Sequence, residues 1–251
     1  GAVTFFRGFG KATYPTQELE EFPSRVGIDG LPTIRTFGAD VFLDVAKALL
    51  GAVSEDLTRW PLCGVYLDPA GYMVATDGHR LVRVQYGAYP AGTLVPARLL
   101  EVAARTLRAS KATEIELLGN AERLAFRFSA DSYETTLSAK PVEGTFPDYQ
   151  TVWPKTLPQA VISFSDPKAA AKAFRALAKA ASVLDHRVEL DVEVDALAKA
   201  CPELGPKFIG KARTADAGGL ELDIPATVAN WQGKVAFNGV YVAELLETLG
   251  G

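Results

Sequence analysis

Three residues in close succession have the types needed for acid–base chemistry: Asp77, His79 and Arg80, in the run Val74-Ala75-Thr76-Asp77-Gly78-His79-Arg80-Leu81. A carboxylate beside an imidazole and a fixed positive charge can move protons, provided a second acid or a nucleophile stands within hydrogen-bond reach. Spacing ties no such residue to them, and Asp77-Gly78 lies between two strand-like runs, where a hairpin turn accounts for the same residues. His186 is the only other histidine, which leaves little for a triad and too few ligands for a zinc hydrolase helix. Gly8-Phe9-Gly10-Lys11-Ala12-Thr13 approaches a phosphate-binding loop, but its hydroxyl residue comes one place late and Phe5 stands where the upstream glycine is required. It reads as a strand and turn. Cys63 and Cys201 match no zinc or redox spacing and are too few for a disulfide framework. The expectation is a protein with no catalytic residue, no metal and no cofactor. Its rival is an α+β enzyme built around Asp77, His79 and Arg80.

Charge is more informative than any catalytic motif. The chain has 26 basic and 30 acidic residues and a net charge of -4, whereas nucleic-acid-binding domains are usually basic overall. Binding to nucleic acid must then come from how the charge is distributed. Lys168, Lys172, Arg175 and Lys179 recur at intervals of four, three and four residues, which places them within roughly 60° of arc on a helix. Phe174 and Leu177 project from the opposite side. A second helical segment carries Arg98, Arg105, Arg108 and Lys111, opposed only by Glu101. One charged helix face is ordinarily just a solvated face. Two of them at equivalent places in a repeat, in an acidic protein, suit sequence-independent contact with DNA phosphates, and the absence of interleaved aromatics argues against stacking on single strands.

These residues need elements to hold them. Apolar periodicity and start signals predict helices over Asp40–Val53, Pro96–Ala109, Asp166–Val183 and Asn238–Leu249. Strands are predicted over Leu62–Leu67, Tyr72–Ala75, His79–Val84, Glu114–Leu118, Arg123–Phe128, Glu134–Ser138, Val188–Val194 and Gly219–Ile224. One helix for several antiparallel strands gives an α+β class. Glu21-Phe22-Pro23 and Thr145-Phe146-Pro147 each precede a new strand and helix, a domain length apart, and Gly92–Pro96 and Gly233–Asn238 both lead into a helix. Each domain is then two copies of a strand–helix–strands unit. Residues 1–38 hold the end strands of a preceding domain or an N-terminal extension, 39–154 a complete domain, and 155–251 another that is C-terminally short. No apolar run approaches the roughly 20 residues that span a bilayer, and the first residues lack the order of a secretion signal. A soluble, cytoplasmic protein is expected.

The run from Val74 to Leu81, preceded by Ser54-Glu55-Asp56-Leu57-Thr58-Arg59-Trp60-Pro61-Leu62-Cys63-Gly64-Val65, resembles the middle domain of the bacterial sliding clamp family, the β subunit of DNA polymerase III. The likeness continues through Gly144-Thr145-Phe146-Pro147-Asp148-Tyr149 and Val152-Trp153-Pro154 and returns at Phe237-Asn238-Gly239-Val240-Tyr241, covering about residues 10–250. It implies a DNA-clamp fold whose helices line a ring and whose sheets lie outside, and a processivity factor that encircles duplex DNA as a homo-oligomer. The basic helices would then face the hole. It also implies that a polymerase and clamp-loader-type proteins dock short peptides, of the form Gln-Leu-Ser-Leu-Phe, into a groove that maps to Leu62, Thr76, Gly78, His79, Arg80, Leu81, Pro154, Asn238 and Tyr241. Leu62, Leu81 and Pro154 supply apolar walls and Thr76, His79, Arg80 and Asn238 polar contacts. The alternative is a clamp-fold module that closes no ring and binds or titrates replication proteins.

Overall fold

The computed structural model describes residues 2–8, 10–16, 28–87, 89, 92–156, 160–181, 186–193, 207–214, 218–231 and 233–249. Strands β1 (Ala2–Arg7) and β2 (Gly10–Pro15) form a hairpin that, among the described residues, pairs only with itself. Strand β3 (Thr33–Gly38) runs directly into helix α1 (Ala39–Leu50), and a 3-10 segment over Leu57–Cys63 then leads to the meander β4 (Gly64–Asp68), β5 (Tyr72–Thr76) and β6 (Leu81–Gln85). The same order recurs with β7 (Thr93–Pro96), α2 (Ala97–Ala109), β8 (Glu114–Gly119), β9 (Leu124–Ala130) and β10 (Tyr133–Ala139).

The strand that enters each helix joins the sheet of the other unit. β3 pairs with β8 to give the order β10-β9-β8-β3, and β7 pairs with β4 to give β6-β5-β4-β7. The two units are interlocked by backbone hydrogen bonds. The pattern continues with β11 (Val161–Phe164), α3 (Pro167–Ala180), β12 (Arg187–Glu193), β13 (Lys207–Thr214), β14 (Gly218–Ile224), β15 (Ala226–Ala229), β16 (Val235–Asn238) and α4 (Gly239–Leu249). Here β16 enters α4 and pairs with β12, giving β14-β13-β12-β16, while β11 pairs with β15.

Each helix is held by an apolar side that its spacing dictates. In α1 and α2, Phe42, Ala46, Leu49, Leu100, Ala103 and Leu107 are buried against the inner faces of the sheets β10-β9-β8-β3 and β6-β5-β4-β7. Phe42 stands edge-to-face between Phe37 and Phe126, with ring centroids 5.6 and 5.2 Å away. Helix α3 starts where Asp166 accepts a hydrogen bond from the Ala169 amide at 2.9 Å and Pro167 takes the first helical position. Its buried side, Ala170, Ala171, Phe174, Leu177 and Ala178, packs on the sheet β14-β13-β12-β16 and on α4. Gly210 makes that approach possible, since a Cβ there would lie 2.4 Å from Leu177 Cδ1.

A third, smaller cluster sits on the other face of β6-β5-β4-β7. Tyr66, Val74 and Leu94 are cross-strand neighbours there, while Val65, Leu67, Met73 and Ala75 point the opposite way into the first core. The segment leaving β10 covers this outer face. Phe146 stacks on Tyr66 at 5.1 Å, and the Tyr149 hydroxyl donates to the Asp68 carboxylate.

Three predicted boundaries move for local reasons. Leu62 is not in a strand, because Asp56 accepts from the Thr58 amide at 3.0 Å and starts the 3-10 segment that ends at Cys63. His79 and Arg80 precede their strand, because the Asp77 carboxylate takes both of their amides at 2.9 Å and closes a four-residue loop. Helix α1 stops at Leu50 rather than Val53, where Gly51 closes back on the Lys47 carbonyl at 3.2 Å. Glu21-Phe22-Pro23, Val194 and residues 182–183 lie outside the described residues.

Candidate functional site

The basic residues occupy the sides of α2 and α3 that face away from the cores. Arg98, Arg105 and Arg108 on α2, Lys111 just beyond it, and Lys168, Lys172, Arg175 and Lys179 on α3 are all exposed. They are not equivalent. Arg175 forms a two-pronged ion pair with Glu247 of α4, and Arg98 pairs with Glu101 at 2.7 Å. Lys168, Lys172 and Lys179 have no acidic partner among the described residues. Their charges are free to meet a phosphate without first breaking an internal bond. Helix α1, by contrast, exposes Asp40 and Asp44.

The second site is built around the loop between β5 and β6. Gly78 adopts φ +90, a conformation open to glycine and strained for other residues, and its amide donates to the Thr76 hydroxyl at 3.1 Å. That hydroxyl in turn donates to the Arg80 carbonyl at 2.7 Å. Partial burial works to raise the Asp77 pKa, but hydrogen bonds from the Arg80 and His79 amides and the Arg80 charge outweigh it and hold the carboxyl below its ordinary value.

Arg80 then reaches across to the second core. Its guanidinium bonds to Asp77 Oδ2 at 3.0 Å, pairs with Glu244 and lies over the Tyr241 ring, 4.3 Å from the centroid. Lys47 of α1 adds a bond to the Glu247 carbonyl at 2.7 Å. Between these contacts lies a polar cleft of about 620 Å³, with Ser54, Arg59, His79 and Thr248 among its walls.

The structure therefore brings Thr76, Gly78, His79, Arg80 and Tyr241 together, and it changes what several of them offer. Thr76 and its hydroxyl are engaged within the loop, and Asn238 Oδ1 accepts from the Val240 amide at 3.0 Å as the cap of α4. Both side chains thus have structural roles, Thr76 within the loop and Asn238 as a helix cap. Of the four polar residues, His79 is the exposed one. Leu62 is buried and Leu81 half-buried, both within the outer-face cluster, so they form the floor of the site more than its wall. Pro154 is exposed.

Sequence reasoning passed over Arg83. Its guanidinium lies 3.6 Å from the centroid of the Trp153 ring and 4.2 Å from that of Tyr72, sandwiched between the two. The β5–β6 register, which sets Arg83 opposite Val74 and diagonal to Tyr72, explains why Arg83 and Tyr72 meet. No group of three or more His, Cys, Asp or Glu side chains is placed to hold a metal ion, and no helix is long and apolar enough to cross a membrane, among the described residues.

No family model matches the chain. Among curated proteins, the beta sliding clamp of Caulobacter vibrioides is 28% identical over 192 residues, covering 72% of this chain and 47% of the relative. That of Synechococcus elongatus is 27% identical over 260 residues, covering 99% of this chain and 64% of the relative. The chain thus spans about half to two thirds of the length of these relatives. Among solved structures, the DNA polymerase sliding clamp of Bacillus subtilis superposes with a TM-score of 0.78 at 17% identity, over 100% of this chain and 64% of that one. A clamp from Bartonella birtlesii, bound to griselimycin, gives 0.75 at 20% identity over 98% of this chain and 64% of that one. Sequence relatives and solved structures agree: the chain is similar in sequence to bacterial beta sliding clamps and has the clamp fold.

Proposed function

We propose that this chain acts as a clamp-like processivity factor, tethering a DNA polymerase to duplex DNA without any chemistry of its own. The observation that carries this reading is the placement of exposed, largely unpaired basic residues on α2 and α3 of an acidic protein with the clamp fold. Lysines and arginines on rigid helices neutralise phosphates irrespective of base sequence, which is what a sliding contact requires. On this reading the first complete clamp domain begins at β3 instead of residue 39, because β3 pairs with β8 of that domain, residues 155–251 form the next clamp domain, residues before β3 belong to a preceding one, and several copies encircle the duplex. The loop around Gly78 and Arg80, with Tyr241, Leu81 and Pro154, is the groove in which polymerase and clamp-loader-type proteins dock their peptides.

The test is retention on circular DNA. Protein loaded onto a closed plasmid and passed through a sizing column at moderate salt should co-elute with it and be lost when the plasmid is linearised. Equal retention on both topologies would rule out encirclement.

The exposed Asp40 and Asp44 on α1 favour a second reading, since they break the positive face that a closed ring would present. On that reading the chain binds replication proteins through the same groove without closing a ring. It would bind the peptide normally and show no dependence on DNA topology.

A further inference from the structure

We propose that Arg83 is a positioning residue that locks the Trp153-Pro154 segment against the sheet and so sets one wall of the docking groove. The inference rests on the groove reading above and concerns two residues, Arg83 and Trp153, that the groove itself does not include. In β6, Leu81 and Arg83 are two residues apart and point to the same face, the outer one, where Arg83 lies opposite Val74. Tyr72 occupies the diagonal position on β5 and supplies the lower ring of the sandwich, 4.2 Å from the guanidinium carbon. Trp153 supplies the upper ring at 3.6 Å. The chain that crosses this face from Val142 is pinned at Phe146 by Tyr66 and at Tyr149 by Asp68, and beyond Thr151 it has left its 3-10 turn. The Val152 and Trp153 amides bond back to the Tyr149 carbonyl at 3.2 Å, and the Arg83–Trp153 stack is the side-chain anchor that follows.

The stack determines where Pro154 stands relative to Leu81. Without it, Val152, which is 72% exposed, and Pro154, which is also exposed, would have no neighbouring ring contact to hold them beside β6. A planar, permanently charged guanidinium between two rings is suited to this work. It attracts both π faces, and unlike an apolar filler it keeps its hydrogen-bonding edges in water. Lysine would preserve the charge and lose the planar stacking.

The experiment compares wild type, Arg83→Met and Arg83→Lys, each labelled with 5-fluorotryptophan, the Trp153 resonance being assigned with Trp153→Phe. The ligand probe is the pentapeptide Gln-Leu-Ser-Leu-Phe. Arg83→Met should shift the Trp153 resonance towards that of a solvent-exposed indole and weaken the peptide by about tenfold, with Arg83→Lys intermediate. The Trp60 and Trp231 resonances should stay in place, which shows that the fold is intact. An unmoved Trp153 resonance would overturn the proposal, as would a moved resonance with unchanged peptide affinity. If wild type fails to bind the pentapeptide at millimolar concentration, the groove reading fails by itself and with it the role assigned to Pro154. The Trp153 resonance then decides whether Arg83 anchors the segment.

Discussion

Arg175 and Glu247 face each other across α3 and α4 through two parallel hydrogen bonds, Nε to Oε1 at 2.6 Å and Nη2 to Oε2 at 2.7 Å. This fork removes one cation from the α3 stripe and uses it to tie the two helices together. The stripe is therefore two things at once, a strut at Arg175 and an open phosphate-binding face at Lys168, Lys172 and Lys179.

Separating these roles gives the first prediction. Reversing Lys168, Lys172 and Lys179 to Glu together should weaken DNA retention for every base sequence and lower the slope of log K against log salt by about 2–3, since each lost phosphate contact removes about 0.9. Arg175→Ala should weaken DNA binding less and cost up to about 1 kcal/mol of stability, the upper end for exposed pairs, because the geometry is two-pronged. Salt titrations by fluorescence anisotropy, alongside urea melts, read both effects. A triple lysine variant with wild-type salt dependence would make the stripe an ordinary solvated face.

The second prediction concerns pH. The hydrogen bonds from Arg175, together with the charges of Arg175 and Lys47, hold the Glu247 carboxyl below its ordinary value against the opposing effect of burial. Asp77 is lowered as well, its amide bonds and Arg80 outweighing burial. A carboxyl whose pKa is lower folded than unfolded contributes fully above its unfolded pKa, near 4, and loses that contribution as pH falls through the folded value. Stability should be flat from pH 7 to about 5 and then decline, with the α3–α4 and Arg80 contacts failing together. Glu247→Gln should blunt the decline. A stability maximum below pH 4 would contradict the assignment.

The elements were legible where periodicity was long and the caps were side chains: α3 begins at Asp166 and Pro167 as its sequence implies, and α4 follows Asn238. Boundaries failed where a single carboxylate redirected the backbone, as Asp56 does before Leu62 and Asp77 before Leu81. The strands β3, β7 and β16 were legible only as stretches leading into a helix, and their pairing with a sheet from the other half of their repeat has no local signature. The same limit applies to the candidate site. Gly78 and Arg80 were visible as a turn and a charge, but the commitment of Arg80 to Glu244 and Tyr241 spans more than 160 positions of sequence, and no local pattern encodes it.

A third prediction concerns self-association. The β1–β2 hairpin exposes Phe5 at 61% and Phe6 at 79%, and an isolated two-stranded hairpin is marginal in water. Its strands gain most by joining another sheet, in keeping with a head-to-tail oligomer. Light scattering at about 50 µM, well within the range of weak assemblies, should give a mass above one chain, and Phe5→Lys with Phe6→Lys should lower it. A single-chain mass throughout would remove homo-oligomerisation from the functional reading.

The fourth prediction concerns Gly78. At φ +90 an L side chain is strained by roughly 1–2 kcal/mol, and a Cβ would sit 2.9 Å from Arg59 Nη1, the mobile end of a side chain that can withdraw. Gly78→Leu should therefore fold with a modest loss of stability while placing bulk over Leu81 and beside His79, where the docked backbone would lie. Wild type should bind the pentapeptide Gln-Leu-Ser-Leu-Phe in the micromolar range, about -8 kcal/mol, with amide shifts centred on Gly78 to Leu81 and on Tyr241. In Gly78→Leu those shifts should vanish at the same peptide concentration while the Lys168–Lys179 face still binds DNA. His79→Ala should weaken the peptide several-fold without affecting folding, because His79 is the one polar residue of the loop whose side chain is exposed and not tied into it. Arg80→Ala should do more than either, since it breaks the contacts to Glu244 and Tyr241 as well as the loop, and its loss of affinity should come with a lower melting temperature. Binding by Gly78→Leu equal to wild type would place the docking surface elsewhere on the molecule.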